Sequence, residues 1–256
     1  FIDLYPRGKQ FRGALSVLGY QLSGGNDVDQ MYKASITLEL LETSVLIEDD
    51  IFDKDEIRRG VPTIHKQWEQ ELTDLDPALQ QEMARNMAII TVTNGYYLAT
   101  HALSRTTLPP QRIQQALEFY SYSVVLTGIG EILDIYSVKT NSSQKKDSAQ
   151  TIHQYKTIWY TAILPLSFGA ILAGAGQKPL DSIKQIATII GSIYQIQDDI
   201  LGSFGDPKIT GKTNNQDIQE GRWTILIELL SKELSIQTSI QEDEQIFTTL
   251  MSKPTR

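Results

Sequence analysis

Three aspartates fall inside an otherwise apolar stretch, in the order Glu48-Asp49-Asp50-Ile51-Phe52-Asp53. On a helix, Asp49 and Asp53 lie one turn apart on the same face, with Asp50 beside them. Two carboxylates about 6 Å apart at an effective dielectric near 20 repel by roughly 3 kcal/mol. Such a cluster on a buried helix asks for a cation. A near-copy, Ile196-Gln197-Asp198-Asp199-Ile200-Leu201-Gly202, comes late in the chain. Two acidic sets on two apolar helices predict carboxylates facing each other across a cavity. Carboxylate oxygens are hard ligands, and magnesium is typically held by a few of them plus substrate phosphates. Neither set contains Glu-x-x-His, so a di-iron bundle fits poorly. His65, His101 and His153 stand outside both sets and are expected to be surface or packing residues.

Phosphates usually want cations as well. Lys9, Arg12, Arg58, Arg59, Lys156, Lys212 and Arg222 sit at loop or helix-end positions. Arginine forks match phosphate geometry, whereas lysine acts as a point charge. The adjacent pair Arg58-Arg59, next to Gly60, is the least ordinary of these. Gly211-Lys212-Thr213 lacks the upstream glycine of a Walker loop and follows no strand, and there is no Rossmann fingerprint.

The elements that must position these groups read as helices. Ala14 to Leu22 is an apolar run closed by Ser23-Gly24-Gly25-Asn26-Asp27. A long helix is predicted from about Val28 to Asp53, apolar around most of its circumference and therefore central. Lys54 to Pro62 reads as a charged loop, and Asp74 to Pro77 as a helix start. Further helices are predicted near Leu79–Leu103, Gln111–Val138, Thr151–Ala175, Leu180–Leu201, Trp223–Leu234 and Asp243–Met251. Lys139 to Gln150 and Gly202 to Gly221 read as loops. Strand-like alternation is hardly present, and neither a tandem repeat nor an interdomain linker is visible. The fold class is all-α, a helical bundle around a central cavity.

Bulk properties agree. The chain has 256 residues, 41% hydrophobic and 21% charged, enough for one large domain with a substantial core. Its net charge of −8 argues against a nucleic-acid partner. Without cysteine there is no disulfide, thiolate metal site or cysteine nucleophile, which suits a reducing cytoplasm. The apolar run Thr161 to Gly176 is shorter than the ~20 residues of a membrane span and contains Pro165. It reads as a core helix, so no stable membrane insertion is expected. The start, Phe1-Ile2-Asp3-Leu4, shows no signal peptide and is not an initiator Met, which suggests a longer gene product.

The ordered motifs resemble those of the trans-isoprenyl diphosphate synthases, the polyprenyl synthetase family, and its geranylgeranyl diphosphate synthase-like members. Asp49-Asp50-x-x-Asp53 followed by Arg58-Arg59-Gly60-x-Pro62-Thr63 looks like the family's first aspartate-rich motif. Gln195-x-x-Asp198-Asp199 looks like the second. Gly8-Lys9-x-x-Arg12, Gly130-Glu131-x-x-Asp134, Lys156-Thr157 and Gly205-Asp206 leading to Gly211-Lys212 complete the set in family order. The resemblance runs from Gly8 to about Thr224. It implies an isoprenoid synthase-type bundle, a single polyprenyl synthetase domain over 1–256 that lacks terminal segments, and a homodimer.

The resemblance also implies roles. Asp49, Asp50, Asp53, Asp198 and Asp199 would hold Mg2+ on an allylic diphosphate. Arg58, Lys156, Thr157, Gln195, Lys212 and Arg222 would contact that substrate. Lys9, Arg12 and Arg59 would hold the diphosphate of isopentenyl diphosphate. The expected reaction condenses the two into a short-chain polyprenyl diphosphate. Leu41, Ser44 and Val45, upstream of Asp49, would line the growing chain's tunnel. Small Ser44 and the absence of a two-residue insertion in the first motif favour a product of about twenty carbons, by comparison with the family.

Some positions depart from the family pattern. Glu42 replaces a common histidine beside the isopentenyl diphosphate, where an unpaired carboxylate would repel the ligand. Glu48 replaces another histidine and is expected to join the acidic cluster or to pair with an arginine. Gly202 ends the second motif in place of aspartate, with Asp206 a weak substitute, and Arg222 replaces a lysine. Two alternatives stand beside the synthase reading. One is a weakly active or non-catalytic partner subunit, which Glu42 favours. The other is a class I terpene cyclase, which the second diphosphate site disfavours.

Overall fold

The computed structural model describes residues 8–139, 149–205 and 224–237. The chain divides into two units, one of Phe1–Tyr120 with Pro165–Lys184, the other of Ser121–Leu164 with Gln185–Arg256. Helices dominate the described residues of both, as the sequence predicts.

In the first unit, α1 (Phe11–Leu22) and α2 (Val28–Asp53) are followed by a two-stranded hairpin, β1 (Ile57–Arg58) and β2 (Val61–Pro62). Then come α3 (Ile64–Glu71), α4 (Pro77–Ser104) and the start of α5 (Pro110–Lys139). Helix α2 begins where Asp27 accepts a bond from the Gln30 amide at 3.2 Å. It ends at Lys54, whose φ of 59° is left-handed and whose amide bonds the Asp50 carbonyl. Met31, Ala34, Leu38, Leu41 and Ile47 are all essentially inaccessible to solvent, which makes α2 the central element of this unit. Its last turns pack on α3 and α4 through Ile47, Ile64, Ala88 and Val92, with Trp68 and Tyr96 at the margin.

From Pro165 onward, α7 (Leu164–Ala173) belongs to the same unit and crosses α1 at backbone distance. A Cβ on Gly19 would stand 2.1 Å from the Leu166 carbonyl oxygen, and one on Gly169 only 1.8 Å from that of Ser16. Only glycine at both positions lets these helices meet so closely.

The segment expected as a charged loop is a tight hairpin. Ile57 pairs with Pro62 and Arg58 with Val61. The two turn residues, Arg59 (φ 53°) and Gly60 (φ 82°), both have positive φ, the requirement of a type I′ turn. Two-residue strands are too short to show alternation, so the sequence pattern could not reveal them.

In the second unit, the rest of α5 is followed by α6 (Ala149–His153) and a π-helical segment, Gln154–Ile163. The later part of α8 (Gln177–Phe204) and α9 (Ile225–Gln237) complete it. Glu228 of α9 accepts from the Ala149 amide at 2.7 Å, a carboxylate at a helix start. Trp159 donates to the Ser123 hydroxyl at 2.9 Å and meets Tyr122 edge-on at 6.1 Å. Among the described residues, Ala149–Ala173 is long and apolar enough to cross a membrane. Its most apolar window is 78% buried within the protein, as a core helix would be.

Candidate active site

The end of α2 delivers the first aspartate set as its spacing requires. Asp50 is fully buried, while Asp49 and Asp53 are half-buried. Arg58, from the hairpin, lies across them. Its Nε donates to Asp50, and its terminal nitrogen lies 3.3 Å from Asp49 and 3.2 Å from Asp55. Burial alone would weaken the guanidinium's hold on its proton, but the charges of Asp50 and Asp49 raise its pKa above the ordinary value. Thr63 fixes the hairpin to the helix end by donating to the Asp55 carbonyl at 2.7 Å. The acidic set is thus paired with one guanidinium.

Arg59 turns the other way. Positive φ at the turn sends its side chain toward the middle of α2, where it lies 3.7 Å from Glu42. Arg12, at the start of α1, also pairs with Glu42. The side chains of Arg12 and Glu42 are 12% and 15% exposed, so that pair is largely withdrawn from water, while Arg59 at 30% is the more open partner. Glu39, one turn before, accepts from the Gly13 amide at 2.7 Å. Burial raises the Glu39 pKa against that bond, the nearby Glu42 charge adds to the rise, and Arg12 and Arg59 oppose it. Glu42 therefore faces the two arginines assigned to isopentenyl diphosphate, and it is paired. Lys9 is exposed.

Glu48 takes a neutral partner rather than an arginine. It accepts a 2.7 Å bond from the Tyr96 hydroxyl of α4, away from any described arginine contact. Ser44 and Leu41 are buried, and Val45 is half-buried. The Ser44 hydroxyl donates to the Leu40 carbonyl at 2.8 Å, so its polarity is satisfied within the helix.

The second aspartate set lies in the other unit. Asp198 is exposed and Asp199 is buried. Gln195, one turn earlier, donates to Asp199 Oδ1 at 2.7 Å. Burial pushes the Asp199 carboxyl up to about 6. The bond from Gln195 and the Ile225 amide act against the shift, and the charges of Asp198 and Asp134 add to it. Asp199 Oδ2 is buried without a hydrogen-bond partner among the described residues. A buried, unsatisfied carboxylate oxygen beside further carboxylates is a position for a hard cation.

Lys156 stands in the π-helical segment, 2.6 Å from Asp134 and 3.0 Å from Glu131, both on α5. That contact depends on Gly130. A Cβ there would stand 2.2 Å from the Lys156 amide nitrogen, so only glycine brings α5 and the π segment together. Thr157 is half-buried in the same segment. π-Helical turns often occur at functional sites. His153 is buried, as a packing residue would be. Distant from the aspartates in sequence, it has Nε2 3.9 Å from Asp199 Oδ1. That distance is too long for a hydrogen bond. Helix periodicity within one element gives no signal for it. Glu131-x-x-Asp134 did carry a signal, its i,i+3 spacing, although no role was attached to it. Of the other histidines, His65 is buried and His101 exposed. Among the described residues, no three carboxylates or imidazoles enclose a cation by themselves. Asp206, Lys212 and Arg222 lie outside the described residues.

A family model for polyprenyl synthetase matches residues 2–251. The chain belongs to the polyprenyl synthetase family. Among its relatives is the geranylgeranyl diphosphate synthase of Sulfolobus acidocaldarius, 30% identical over 220 residues, 86% of this chain and 62% of that protein. The geranylfarnesyl diphosphate synthase of Aeropyrum pernix is 27% identical over 221 residues, 86% of this chain and 65% of that one. A solved geranylgeranyl pyrophosphate synthase from Corynebacterium glutamicum, complexed with isoprenyl diphosphate and magnesium, superposes with a TM-score of 0.83 at 26% identity. That match covers 97% of this chain and 71% of the other. The structure from Pyrococcus horikoshii, at TM-score 0.72 and 23% identity, shares the fold. These are all-α prenyl synthase folds, which bears out the fold class expected from the sequence. This polyprenyl synthetase chain spans about three fifths of the length of the curated relatives it matches first.

Proposed function

We propose that the chain, as a single polyprenyl synthetase domain over 1–256, condenses isopentenyl diphosphate with an allylic diphosphate. The product is a trans-polyprenyl diphosphate of about twenty carbons, by analogy with geranylgeranyl-type relatives. The observation that supports the reading is the gathering of Asp49 and Asp50 at the end of α2, with the Arg58 guanidinium laid across them. The carboxylate donors fit magnesium, which is held by one or two carboxylates and completes its shell with water and substrate phosphates. Asp49, Asp50 and Asp53 on α2 would hold magnesium in the first unit, and Asp198 and Asp199 on α8 would do so in the second. Bound there, magnesium neutralises charge on the leaving diphosphate.

The chain's own residues do the rest. Arg58, Lys156, Thr157, Gln195, Lys212 and Arg222 orient the allylic diphosphate and donate to it as the allylic carbon–oxygen bond breaks. The bonding pair leaves with the diphosphate, and a delocalised carbocation remains. Lys9, Arg12 and Arg59 hold isopentenyl diphosphate so that its double bond reaches that carbon. The new carbon–carbon bond forms, and the proton lost next is taken by the departed diphosphate. No side-chain nucleophile is required. Leu41, Ser44 and Val45 bound the growing chain. The enzyme acts as a cytoplasmic homodimer in this reading.

Incubating purified protein with isopentenyl diphosphate, each allylic primer and magnesium tests it, with chromatography of the products. Elongation to about twenty carbons is expected, by analogy with the relatives. Absence of elongation with every primer, or full activity in chelator, would refute it. A weakly active or non-catalytic partner subunit is the second reading. What favours it is Glu42 lying on Arg12 and Arg59.

A further inference from the structure

We infer that Glu42 is an internal competitor for the diphosphate cradle formed by Arg12 and Arg59, and that it sets this chain's affinity for the phosphorylated substrate bound there. The assignment of the cradle rests on the proposed synthase function. The contacts do not. Arg12 pairs with Glu42, and Arg59 lies 3.7 Å from it, so one carboxylate engages two guanidinium groups that come from different elements. Arg12 and Glu42 are mostly withdrawn from solvent, where such contacts are strongest, while Arg59 reaches the pair from a more exposed position. A phosphate group seeks the same N–H donors and the same positive charge. Glu42 occupies the Arg12 donor, and its one negative charge offsets the positive charge of both arginines. Glu39 stands one turn away on the same side, bonded to the Gly13 amide rather than to an arginine.

A diphosphate can therefore bind only by drawing both arginines from Glu42 or by sharing them with a carboxylate that repels it. Both routes weaken binding. Neither need change the chemical step once substrate is seated, so Glu42 acts through KM. It is a positioning residue, since it works through the arginines.

The experiment is a titration of the purified chain with inorganic pyrophosphate by calorimetry in chelator. Without divalent ions, the two aspartate sets repel the probe, so the arginine cradle dominates the signal. Glu42→Gln and Glu42→Ser are compared with wild type, two variants so that poor folding of one leaves the other. Tighter binding is expected in the variants, by about tenfold or more. Adding Arg59→Ala to Glu42→Gln should abolish the gain. In turnover, the KM for isopentenyl diphosphate should fall by a similar factor, with kcat changing less than about twofold. Unchanged or weaker pyrophosphate binding in a folded variant overturns the inference. Tighter binding without prenyl transfer by any form would sustain the inference while removing the synthase reading.

Discussion

Replacing Arg58 by Ala should destabilise the metal-free protein strongly, and magnesium should return much of the loss. Arg58 is 15% exposed and contacts three carboxylates, of which Asp50 is fully buried. Removing it leaves the fully buried Asp50 carboxylate without its guanidinium, beside Asp49. Breaking a buried pair by deleting one partner costs about 3–5 kcal/mol. The partial exposure of Asp49 and Asp55 points to the lower end, about 3 kcal/mol. At about 2–4 °C per kcal/mol for a chain of this size, the melting temperature in chelator should fall by about 6–12 °C. A site that can hold a metal then makes a second demand. Magnesium should raise the melting temperature of Arg58→Ala by more than that of wild type, because it binds carboxylates that the guanidinium no longer occupies. Differential scanning calorimetry with and without the ion reads both effects. A variant melting within about 2 °C of wild type in chelator would refute the claim that this pair is structural, given the usual scaling. Equal magnesium shifts in the two proteins would refute the claim that arginine and metal share one site.

Asp199 provides a pH signature. Its carboxyl is pushed up to about 6 by burial, against an ordinary 3.8. The folded state therefore keeps a proton that the unfolded state has lost, and the stabilisation is full below the unfolded value and vanishes as pH rises through about 6. The swing is up to about 3 kcal/mol. Urea unfolding in chelator should show wild type losing stability relative to Asp199→Asn across that window, and parallel profiles would contradict the assignment. Gly130→Ala should cost about 1–3 kcal/mol, because the new methyl meets the Lys156 backbone. It should lower prenyl transfer as well, and a stable, fully active variant would show that the helices need not approach so closely. Ser44→Phe should shorten the product, read by chromatography. It should also cost about 1–3 kcal/mol of stability, since Ser44 is fully buried. An unchanged product would place Ser44 away from the tunnel.

Much of the local structure was legible because helices carry their own period. The α2 boundaries read from the sequence, Val28 to Asp53, are those observed. The all-round apolar pattern predicted a buried helix, and the spacing of Asp49, Asp50 and Asp53 placed them together at its end. The hairpin was less legible. Arg59-Gly60 is a plausible two-residue turn, but strands of two residues leave no alternation to detect. The π-helical turns of Gln154–Ile163 left no mark either, since they use the same residues as an α-helix.

By itself, the sequence determined the family, the helical class and the candidate acidic and basic residues, because these follow from residue type, order and spacing along one element. Tertiary structure decided which of those charges meet. Glu42 is a repulsive intruder on paper and a paired group in the fold, because α1 and the Arg59 turn each bring a guanidinium to it. Glu48 goes to Tyr96, and His153 comes beside Asp199. Lys156 reaches Asp134 because Gly130 lets two backbones touch. Charge interactions fall off within a few ångströms in a screened, polar medium, so the approach of separate elements fixes their sign and size. A local sequence pattern does not encode that approach.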